Sequence, residues 1–509
     1  MPCLKTVSLI GGLMAALAVL PTDACAAPRE VAVPGGVLVG ETDGTIASFK
    51  GVPFAAPPVG PLRWRPPGPT PTWSGARDAR QFGHDCPQDR RPDSPNPTVD
   101  EDCLVLNVWA PASAKGAPVM VWFHGGEFIS GSGARAVHDG AAFARDGVIT
   151  VTVNYRLGAL GFFAHSALTN EAGPDAPLGN YGLMDQVAAL QWVQSNIAAF
   201  GGDPKAVTIA GQSAGGSSVL ALLATPAARP LYRQAIVQSA AQWVLPDGLA
   251  EHEAQGAALI TAAGVPSAEA NPERLRAMPW SALVRLSQAG TFVPFVDGRW
   301  LKRDIDHLIA AGALADVPLL IGTNSDEGSL VQRGMAEAPG MILARFSPAD
   351  RDRIHAAYGE EGREEAIYRR QLFADTIFTA PARFIAGRTG SGAPTYLYRF
   401  SYLNASSRGR APGAAHGWDV AEVFDTLSSV RGLKLTPEDV AMASTMHACW
   451  KAFIKTGRPA CDRAPAWPAY TPTSDALMEF GLDGPKVVSG LRKPQLDALE
   501  AWATPILSR

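Results

Sequence analysis

The stretch from Ala206 to Gly216 constrains the fold more than any other part of the chain, because it joins a strand pattern to a helix pattern through a tight turn. Its β-branched, apolar residues end in Gly211-Gln212-Ser213-Ala214-Gly215, and an apolar helical pattern follows from Val219 to Ala224. A strand, a turn and a helix in this order are typical of a nucleophile elbow. We therefore expect Ser213 in a strained backbone conformation, with the amide of Ala214 able to donate to a developing oxyanion.

The composition indicates a globular protein with a large core, since 47% of the 509 residues are hydrophobic and 18% are charged. The formal net charge is −4, with both signs interspersed. We therefore expect neither nucleic acid nor stable membrane insertion, and the oligomeric state stays open. Length alone suggests about three domains. The motifs below must nevertheless converge on one site, so we predict a single domain over residues 27–509.

Residues 1–26 resemble an export signal. Lys5 precedes the apolar run Val7–Leu20, which leads to a cleavage pattern at Ala24-Cys25-Ala26. The run is too short to span a bilayer, which argues against a membrane anchor. A lipoprotein signal ending at Cys25 is an alternative, although the residues before it match poorly. We predict a secreted or periplasmic protein.

Export makes the cysteines informative, because four would remain in the mature chain: Cys86, Cys103, Cys449 and Cys461. An even number in an oxidising compartment favours disulfides over metal ligation. The sequence permits three connectivities, of which nearest-neighbour pairing closes two short loops. The chain contains no Cys-x-x-Cys motif and no His-rich cluster, so we expect no structural metal.

Strand and helix patterns alternate along the chain. Apolar runs predict strands over Leu104–Trp109, Pro118–Phe123, Val148–Val153, Gln234–Gln238, Val317–Ile321 and Thr395–Phe400. Helical spacing predicts helices over Leu183–Ile197, Pro437–Lys455 and Lys493–Ala503. This alternation indicates an α/β fold with a mainly parallel sheet covered by helices on both faces. Helix-prone insertions near 248–290 and 336–383 are expected to form a cap. The proline-dense run Gly51–Gly60 is expected to form no central strand or helix and to wrap the surface.

A glycine-rich turn, His124-Gly125-Gly126-Glu127-Phe128, directly follows the predicted strand Pro118–Phe123. Such a turn aims successive backbone amides into the space above a sheet, where they can complete an oxyanion hole with Ala214. An ordinary strand-to-loop turn is the alternative, because Gly-Gly is common in turns.

A serine hydroxyl needs a base to remove its proton and a carboxylate to orient that base. His416, in the run Ala415-His416-Gly417-Trp418-Asp419, is a candidate base, although a surface histidine is the ordinary alternative. Asp326 and Glu327 follow the predicted strand Val317–Ile321, and spacing cannot choose between them. The order serine, acid, histidine is the one expected of an α/β-hydrolase.

These residues together resemble the type-B carboxylesterase family, the relatives of the cholinesterases. The run from Phe200 to Gly215 matches the serine signature of the family, and Glu101 to Val108 resembles its second signature, departing from it at Val105. Three further short matches are Asn154-Tyr155-Arg156, Asp297-Gly298 and Gly51-Val52-Pro53-Phe54. The resemblance covers nearly the whole chain after residue 26, and the agreement of several motifs in order makes it specific.

The resemblance implies a role for each matching position. It makes Ser213 the nucleophile, His416 the general base and Glu327, rather than Asp326, the orienting acid. It places the oxyanion donors at the amides of Gly126, Glu127 and Ala214. It implies a Cys86–Cys103 disulfide at the mouth of the site, and Cys449–Cys461 as the remaining pair. Ser239 matches a position that often contacts the catalytic histidine.

Two residues depart from the family pattern. Gln212 stands where the residue before the serine is commonly Glu, and Glu127 replaces the third glycine of the oxyanion turn. A neutral Gln212 removes a carboxylate that would stabilise an imidazolium nearby. An amide donor survives at Glu127 if the backbone permits a side chain there. Four aromatic residues are candidates for either the substrate pocket or the core: Phe128, Trp243, Phe292 and Phe295.

The sequence thus predicts a carboxylic-ester hydrolase that acts on small-molecule esters through an acyl-enzyme, with no cofactor and no metal. An amidase or lactonase using the same triad is the alternative within enzymes. A non-catalytic adhesion protein of the same fold is a further alternative, which the intact Ser213, Glu327 and His416 disfavour.

Overall fold

A computed structural model describes residues 27–89, 96, 98–240, 243, 248–389 and 392–508. The predicted export signal over residues 1–26 lies outside these described residues. The first strands are β1 Ala27–Val33, β2 Gly36–Thr42, β3 Ile46–Pro53, β4 Ala76–Asp78, β5 Val105–Pro111, β6 Ala117–Phe123 and β7 Ile149–Val153. The remaining strands are β8 Gly202–Gln212, β9 Gln234–Gln238, β10 Leu319–Asn324, β11 Thr395–Phe400, β12 Ala476–Gly481 and β13 Gly484–Ser489.

These strands form one sheet in the order β1-β2-β3-β5-β7-β6-β8-β9-β10-β11-β12-β13, with β4 paired to β2. The centre of the sheet is parallel, from β7 through β6, β8, β9, β10 and β11 to β12. The strands at both ends pair in antiparallel fashion, except for β4, which is parallel to β2. Parallel strands present their carboxyl ends at one edge, so the loops after β6, β8 and β10 meet there.

Both faces of the sheet are buried, as strand β6 makes clear. Val119, Val121 and Phe123 pack into one core cluster, while Met120 and Trp122 pack into a second. Successive side chains of a strand point to opposite faces, so the two clusters lie on opposite sides of the sheet. Burial on both faces accounts for the near-continuous apolar character of the central strands.

The helices up to the middle of the chain are α1 Ala141–Arg145, α2 Gly158–Gly161, α3 Ser166–Ala172, α4 Tyr181–Asn196, α5 Ala214–Ala224, α6 Leu249–Ala262, α7 Pro272–Arg276, α8 Trp280–Ser287 and α9 Ile305–Ala310. Those that follow are α10 Ala338–Arg345, α11 Pro348–Tyr358, α12 Glu365–Ala374, α13 Ala380–Arg388, α14 Asp419–Val423, α15 Pro437–Thr456 and α16 Lys493–Leu507. Short 3₁₀ turns include Ala136–His138 and Glu327–Arg333, and a π-helical turn spans Asp375–Thr379. In the part of the chain that the structure describes, no helix is both long and apolar enough to cross a membrane.

The expectation that the proline-dense run Gly51–Gly60 forms no central strand and wraps the surface is wrong for its first residues, which are buried. Strand β3 continues to Pro53 and pairs with β5. The pairing register shifts between Phe49 and Val52, and this irregularity lets the strand bend. Pro53 is the last residue of the strand, where a missing N–H disturbs the ladder least.

The four cysteines form two pairs, Cys86 with Cys103 and Cys449 with Cys461. The loop closed by the first pair contacts the segment after the glycine-rich turn. Gln88 Nε2 donates to the carbonyl oxygen of Gly131 at 2.7 Å, and the amide of Gly131 donates back to Gln88 Oε1 at 2.8 Å. The pair therefore braces the backbone next to the predicted oxyanion turn.

The segment near 336–383 is helical and is tied to the last helix. Arg492, just before α16, donates to Asp375 Oδ2 at 2.7 Å and to Glu361 Oε2 at 2.9 Å. Asp375 begins the π-helical turn, and Phe378 in the same turn lies against His416, with ring centroids 5.1 Å apart. A continuous set of contacts thus joins α16 to the predicted general base.

Candidate active site

Ser213 stands at the sharp turn between β8 and α5. Its φ of 58° and ψ of −127° lie outside the regions that side chains usually adopt. The amide of Ser213 donates to the carbonyl oxygen of Gln238 at 2.8 Å, which fastens the turn to the end of β9. The turn needs glycine at Gly215, where a Cβ would lie 2.0 Å from the carbonyl oxygen of Phe123. The local geometry is that of a nucleophile elbow.

His416 and Glu327 meet at the carboxyl ends of the strands. Nδ1 of the imidazole lies 2.5 Å from Glu327 Oε2. The Glu327 side chain is 0% exposed and that of His416 is 9% exposed, so water screens the contact little. The two loops are joined by their backbones, because the amide of Asp326 donates to the carbonyl oxygen of Ala414 at 2.8 Å.

The structure shows which of the two adjacent acids contacts His416, a choice that sequence spacing alone could not make. The other oxygen of Glu327 accepts hydrogen bonds from Ser239 Oγ at 2.6 Å and from the Asn324 amide at 2.7 Å. Asp326 faces away and forms an ion pair with Arg370, whose Nε lies 2.8 Å from Oδ1. Ser239 therefore contacts the acid of the predicted triad, whereas the family resemblance suggests the histidine.

Gln212 contacts the other nitrogen of the imidazole. Its side-chain Nε2 lies 3.1 Å from His416 Nε2. An amide nitrogen can only donate, so His416 Nε2 accepts and the ring proton sits on Nδ1, facing Glu327. This is the tautomer that a general base requires. Among the described residues, Gln212 is the hydrogen-bonding partner of Nε2, and no hydrogen bond joins that nitrogen to Ser213 Oγ.

The glycine-rich turn after β6 forms the remaining side of the site. Gly126 has a φ of 121°, and Glu127 keeps a side chain at a φ of 58°. Within the described chain, no group accepts a hydrogen bond from the amides of Gly126, Glu127 or Ala214. Tyr155 anchors the start of the turn, donating its hydroxyl to the carbonyl oxygen of His124 at 2.6 Å. Burial raises the pKa of the Tyr155 phenol, which therefore stays a donor.

Ser213, His416 and Gln212 line a cavity of about 1200 Å³, together with the glycine-rich turn. Of the four aromatic candidates, Phe128 and Phe292 line the cavity. Trp243 packs against Phe384, and Phe295 stacks on His252, so both belong to the core.

Further apolar residues of the cavity wall were not identified from the sequence: Leu330, Met335, Phe373, Ile377 and Phe378. Several come from the helical segment near 336–383. Its predicted role as a cap was the only sequence signal that pointed to them.

Two buried ion pairs hold the loops of the family motifs around this cavity. Arg156 binds Asp185 through Nη2 and Oδ1 at 2.6 Å, with both side chains almost fully buried. Arg63 binds Glu101 of the second signature and also donates to the carbonyl oxygen of Met278 at 2.6 Å. Such pairs fix loop positions, because leaving either charge unpartnered in the interior costs several kcal/mol.

The parallel sheet, the serine on its elbow and the histidine–carboxylate pair define the α/β-hydrolase class of fold. Comparison with known proteins narrows this class. A sequence model of the carboxylesterase family matches residues 27–499. Fumonisin B1 esterase of Sphingopyxis macrogoltabida is 36% identical over 470 residues, which are 86% of this chain and 84% of that relative. Para-nitrobenzyl esterase of Bacillus subtilis is 35% identical over 464 residues, covering 86% of this chain and 91% of the relative.

A solved structure of PNB esterase superposes with a TM-score of 0.81 at 31% sequence identity, over 92% of this chain and 99% of that one. The chain belongs to the carboxylesterase family and is a carboxylic-ester hydrolase. The predicted fold class and the predicted family are both confirmed.

Proposed function

We propose that this protein is an exported serine esterase that hydrolyses small-molecule carboxylic esters through an acyl-enzyme. The observation that carries the proposal is the 2.5 Å contact between Glu327 Oε2 and His416 Nδ1. This contact orients the imidazole of His416, which lines the same cavity as Ser213. A buried carboxylate that fixes the imidazole tautomer is what a serine nucleophile requires.

Acylation begins when Ser213 Oγ attacks the ester carbonyl carbon. His416 Nε2 takes the hydroxyl proton, and the carbonyl oxygen becomes an oxyanion that accepts from the amides of Gly126, Glu127 and Ala214. As the tetrahedral intermediate collapses, the carbon–oxygen bond to the alcohol breaks and His416 returns the proton to the leaving alkoxide.

Deacylation repeats these steps with water as the nucleophile. His416 Nε2 removes a proton from water, the hydroxide adds to the acyl carbon, and the proton passes back to Ser213 Oγ as the carboxylic acid leaves. In both half-reactions Nε2 must release the amide of Gln212 before it can accept from Ser213 or from water. Gln212 therefore acts as a positioning residue in the resting site.

The test is hydrolysis of p-nitrophenyl esters of increasing acyl length by wild type and Ser213→Ala. We expect the variant to lose at least about a thousandfold in kcat, because a triad member supplies an effect of this size. Turnover that persists in Ser213→Ala would refute the mechanism. Mass spectrometry after exposure to a fluorophosphonate should show one added phosphonyl group in wild type and none in the variant.

The same assays distinguish the alternative reactions. Matched p-nitroanilides and lactones of the same acyl chain are expected to turn over more slowly than the esters. A higher kcat/KM on either would replace ester hydrolysis with amidase or lactonase activity as the main function.

Export is part of the proposal, supported by the pairing of Cys86 with Cys103 and of Cys449 with Cys461. Disulfides persist in oxidising compartments. Expression of the full chain with its first 26 residues should yield a processed protein outside the cytoplasm, with Ala27 at or near its new N-terminus. An unprocessed chain retained in the cytoplasm would contradict export and leave the esterase proposal untouched.

A further inference from the structure

The wall of the active-site cavity carries a carboxyl group that the proposed mechanism does not use. Glu422 lies on α14, the short helix that follows His416 in the chain. The residue is 4% exposed, yet it lines the cavity. Its Oε2 has no hydrogen-bond partner among the described residues. This oxygen is itself sealed from solvent, so a ligand in the cavity reaches it only when the side chain rotates. A buried polar atom without a partner costs free energy, and a ligand that supplies the partner recovers it.

Burial raises the pKa of Glu422 well above its ordinary value, and the charges of Asp419 and Asp439 raise it further. Burial therefore favours the protonated form of the carboxyl group. A protonated carboxyl has one O–H donor, so the partner it lacks is an acceptor.

Two other polar side chains of the same cavity wall already have hydrogen-bond partners. The hydroxyl of Tyr402 donates to Asp439 Oδ1 at 2.8 Å. Asn404 Oδ1 accepts from the hydroxyl of Ser406 at 2.7 Å and from the amide of Ser407 at 3.0 Å. Glu422 differs from them in having an oxygen that no described residue satisfies.

We propose that Glu422 is a specificity residue, which donates a hydrogen bond to an oxygen acceptor of the substrate outside the scissile ester group. The acceptor is a carbonyl, ether or carboxylate oxygen carried by the acyl or the alcohol part. The inference rests on the proposed function, because it takes the cavity that Ser213 lines to be the substrate site. The enzyme should thus prefer oxygen-bearing esters to hydrocarbon esters of the same length.

The experiment compares matched esters that differ by one oxygen. On the acyl side the pair is p-nitrophenyl 4-oxopentanoate and p-nitrophenyl pentanoate. On the alcohol side it is 2-methoxyethyl butyrate and butyl butyrate, whose hydrolysis is measured as release of butyric acid. The measured quantity is the ratio of kcat/KM within each pair, which cancels any general loss of activity in a variant.

Two substitutions of Glu422 separate the chemical roles. Glu422→Leu removes the donor and should lower the ratio for one pair by about fivefold, the effect of one neutral hydrogen bond. Glu422→Gln keeps a neutral N–H donor of similar shape and should retain most of the preference. Glu360→Leu is the matched control, since the side chain of Glu360 is 84% exposed in its ion pair with Arg363.

An unchanged ratio in Glu422→Leu for both pairs would overturn the inference. A ratio that falls as far in Glu422→Gln as in Glu422→Leu would also overturn it, because a neutral N–H donor at the same position would then fail to replace the proposed O–H donor. Ser213→Ala keeps the two proposals distinct. If hydrolysis requires Ser213 but the kcat/KM ratios do not change on substitution of Glu422, this inference alone is refuted. Hydrolysis that survives Ser213→Ala refutes the proposed function.

Discussion

The contact between Gln212 and His416 leads to a quantitative prediction for Gln212→Glu. The substitution puts a carboxylate oxygen where the amide nitrogen now lies, 3.1 Å from His416 Nε2. A carboxylate attracts the protonated imidazole and offers no donor to the neutral ring. It therefore stabilises the form of the base that cannot accept a proton from Ser213. We expect the acidic limb of the pH profile of kcat/KM to move to higher pH.

The size of this shift follows from the geometry. At 3.1 Å, two unit charges attract by about 1.3 kcal/mol at the dielectric constant of water and by about 5 kcal/mol at an effective value of 20. Gln212 is 8% exposed, so the site lies between these limits. One pH unit corresponds to about 1.4 kcal/mol, and nearby opposite charges shift titrations by about one to three units. We expect the limb to move by about one to three pH units.

The assay is kcat/KM for p-nitrophenyl butyrate between pH 4 and 9 at constant ionic strength. Gln212→Met is the matched control, because it removes the donor without adding charge and should leave the limb in place. A limb that stays within about 0.3 units of wild type in Gln212→Glu would refute the argument. A limb that moves equally in Gln212→Met would assign the shift to the lost hydrogen bond.

Four further substitutions test other contacts. Ser239→Ala removes the 2.6 Å hydrogen bond to Glu327 and should lower kcat by about tenfold to a hundredfold at constant KM; a change confined to KM would contradict this. Gly126→Ala places a Cβ 2.1 Å from a carbonyl oxygen of the same turn and should abolish esterase activity. Glu127→Ala keeps the backbone amide, and the backbone conformation at this position already accommodates a side chain. Its kcat should therefore stay within about threefold of wild type. Asp185→Asn leaves its buried arginine partner uncompensated and should cost about 3–5 kcal/mol in urea unfolding; a loss below about 1 kcal/mol would show that the pair does not hold the loop.

The central strands could be predicted because burial on both faces leaves a continuous apolar run. Strands β9 and β11 have the bounds that the sequence predicts, Gln234–Gln238 and Thr395–Phe400. Strand β10 begins at Leu319 and continues to Asn324, past the expected end at Ile321. Its last residues are polar because they lead into the site, so hydrophobicity could not mark the end of the strand. The hairpin of β1 and β2 escaped prediction, since it is largely exposed on one side and lacks such a run.

For the candidate site, the sequence predicts the chain order of the residues but not the directions of their side chains. The choice between Asp326 and Glu327 depends on a cross-loop backbone hydrogen bond and on the position of Arg370, and neither is visible in local spacing. The position of Phe378 depends on a π-helical turn, in which the helix takes up an extra residue and rotates the following side chains. The unpaired Oε2 of Glu422 is a property of packing, so only the folded chain reveals it.

The contacts from Arg492 through Asp375 to Phe378 also bear on how the enzyme should be handled. Because helix α16 is linked in this way to the aromatic ring beside His416, we expect a bulky fusion or a surface attachment after that helix to displace the active-site wall. We expect such a product to show altered acyl-chain selectivity before it loses thermal stability. An affinity tag or immobilising linker placed before Ala27, beside the exposed edge strand β1, leaves those contacts alone.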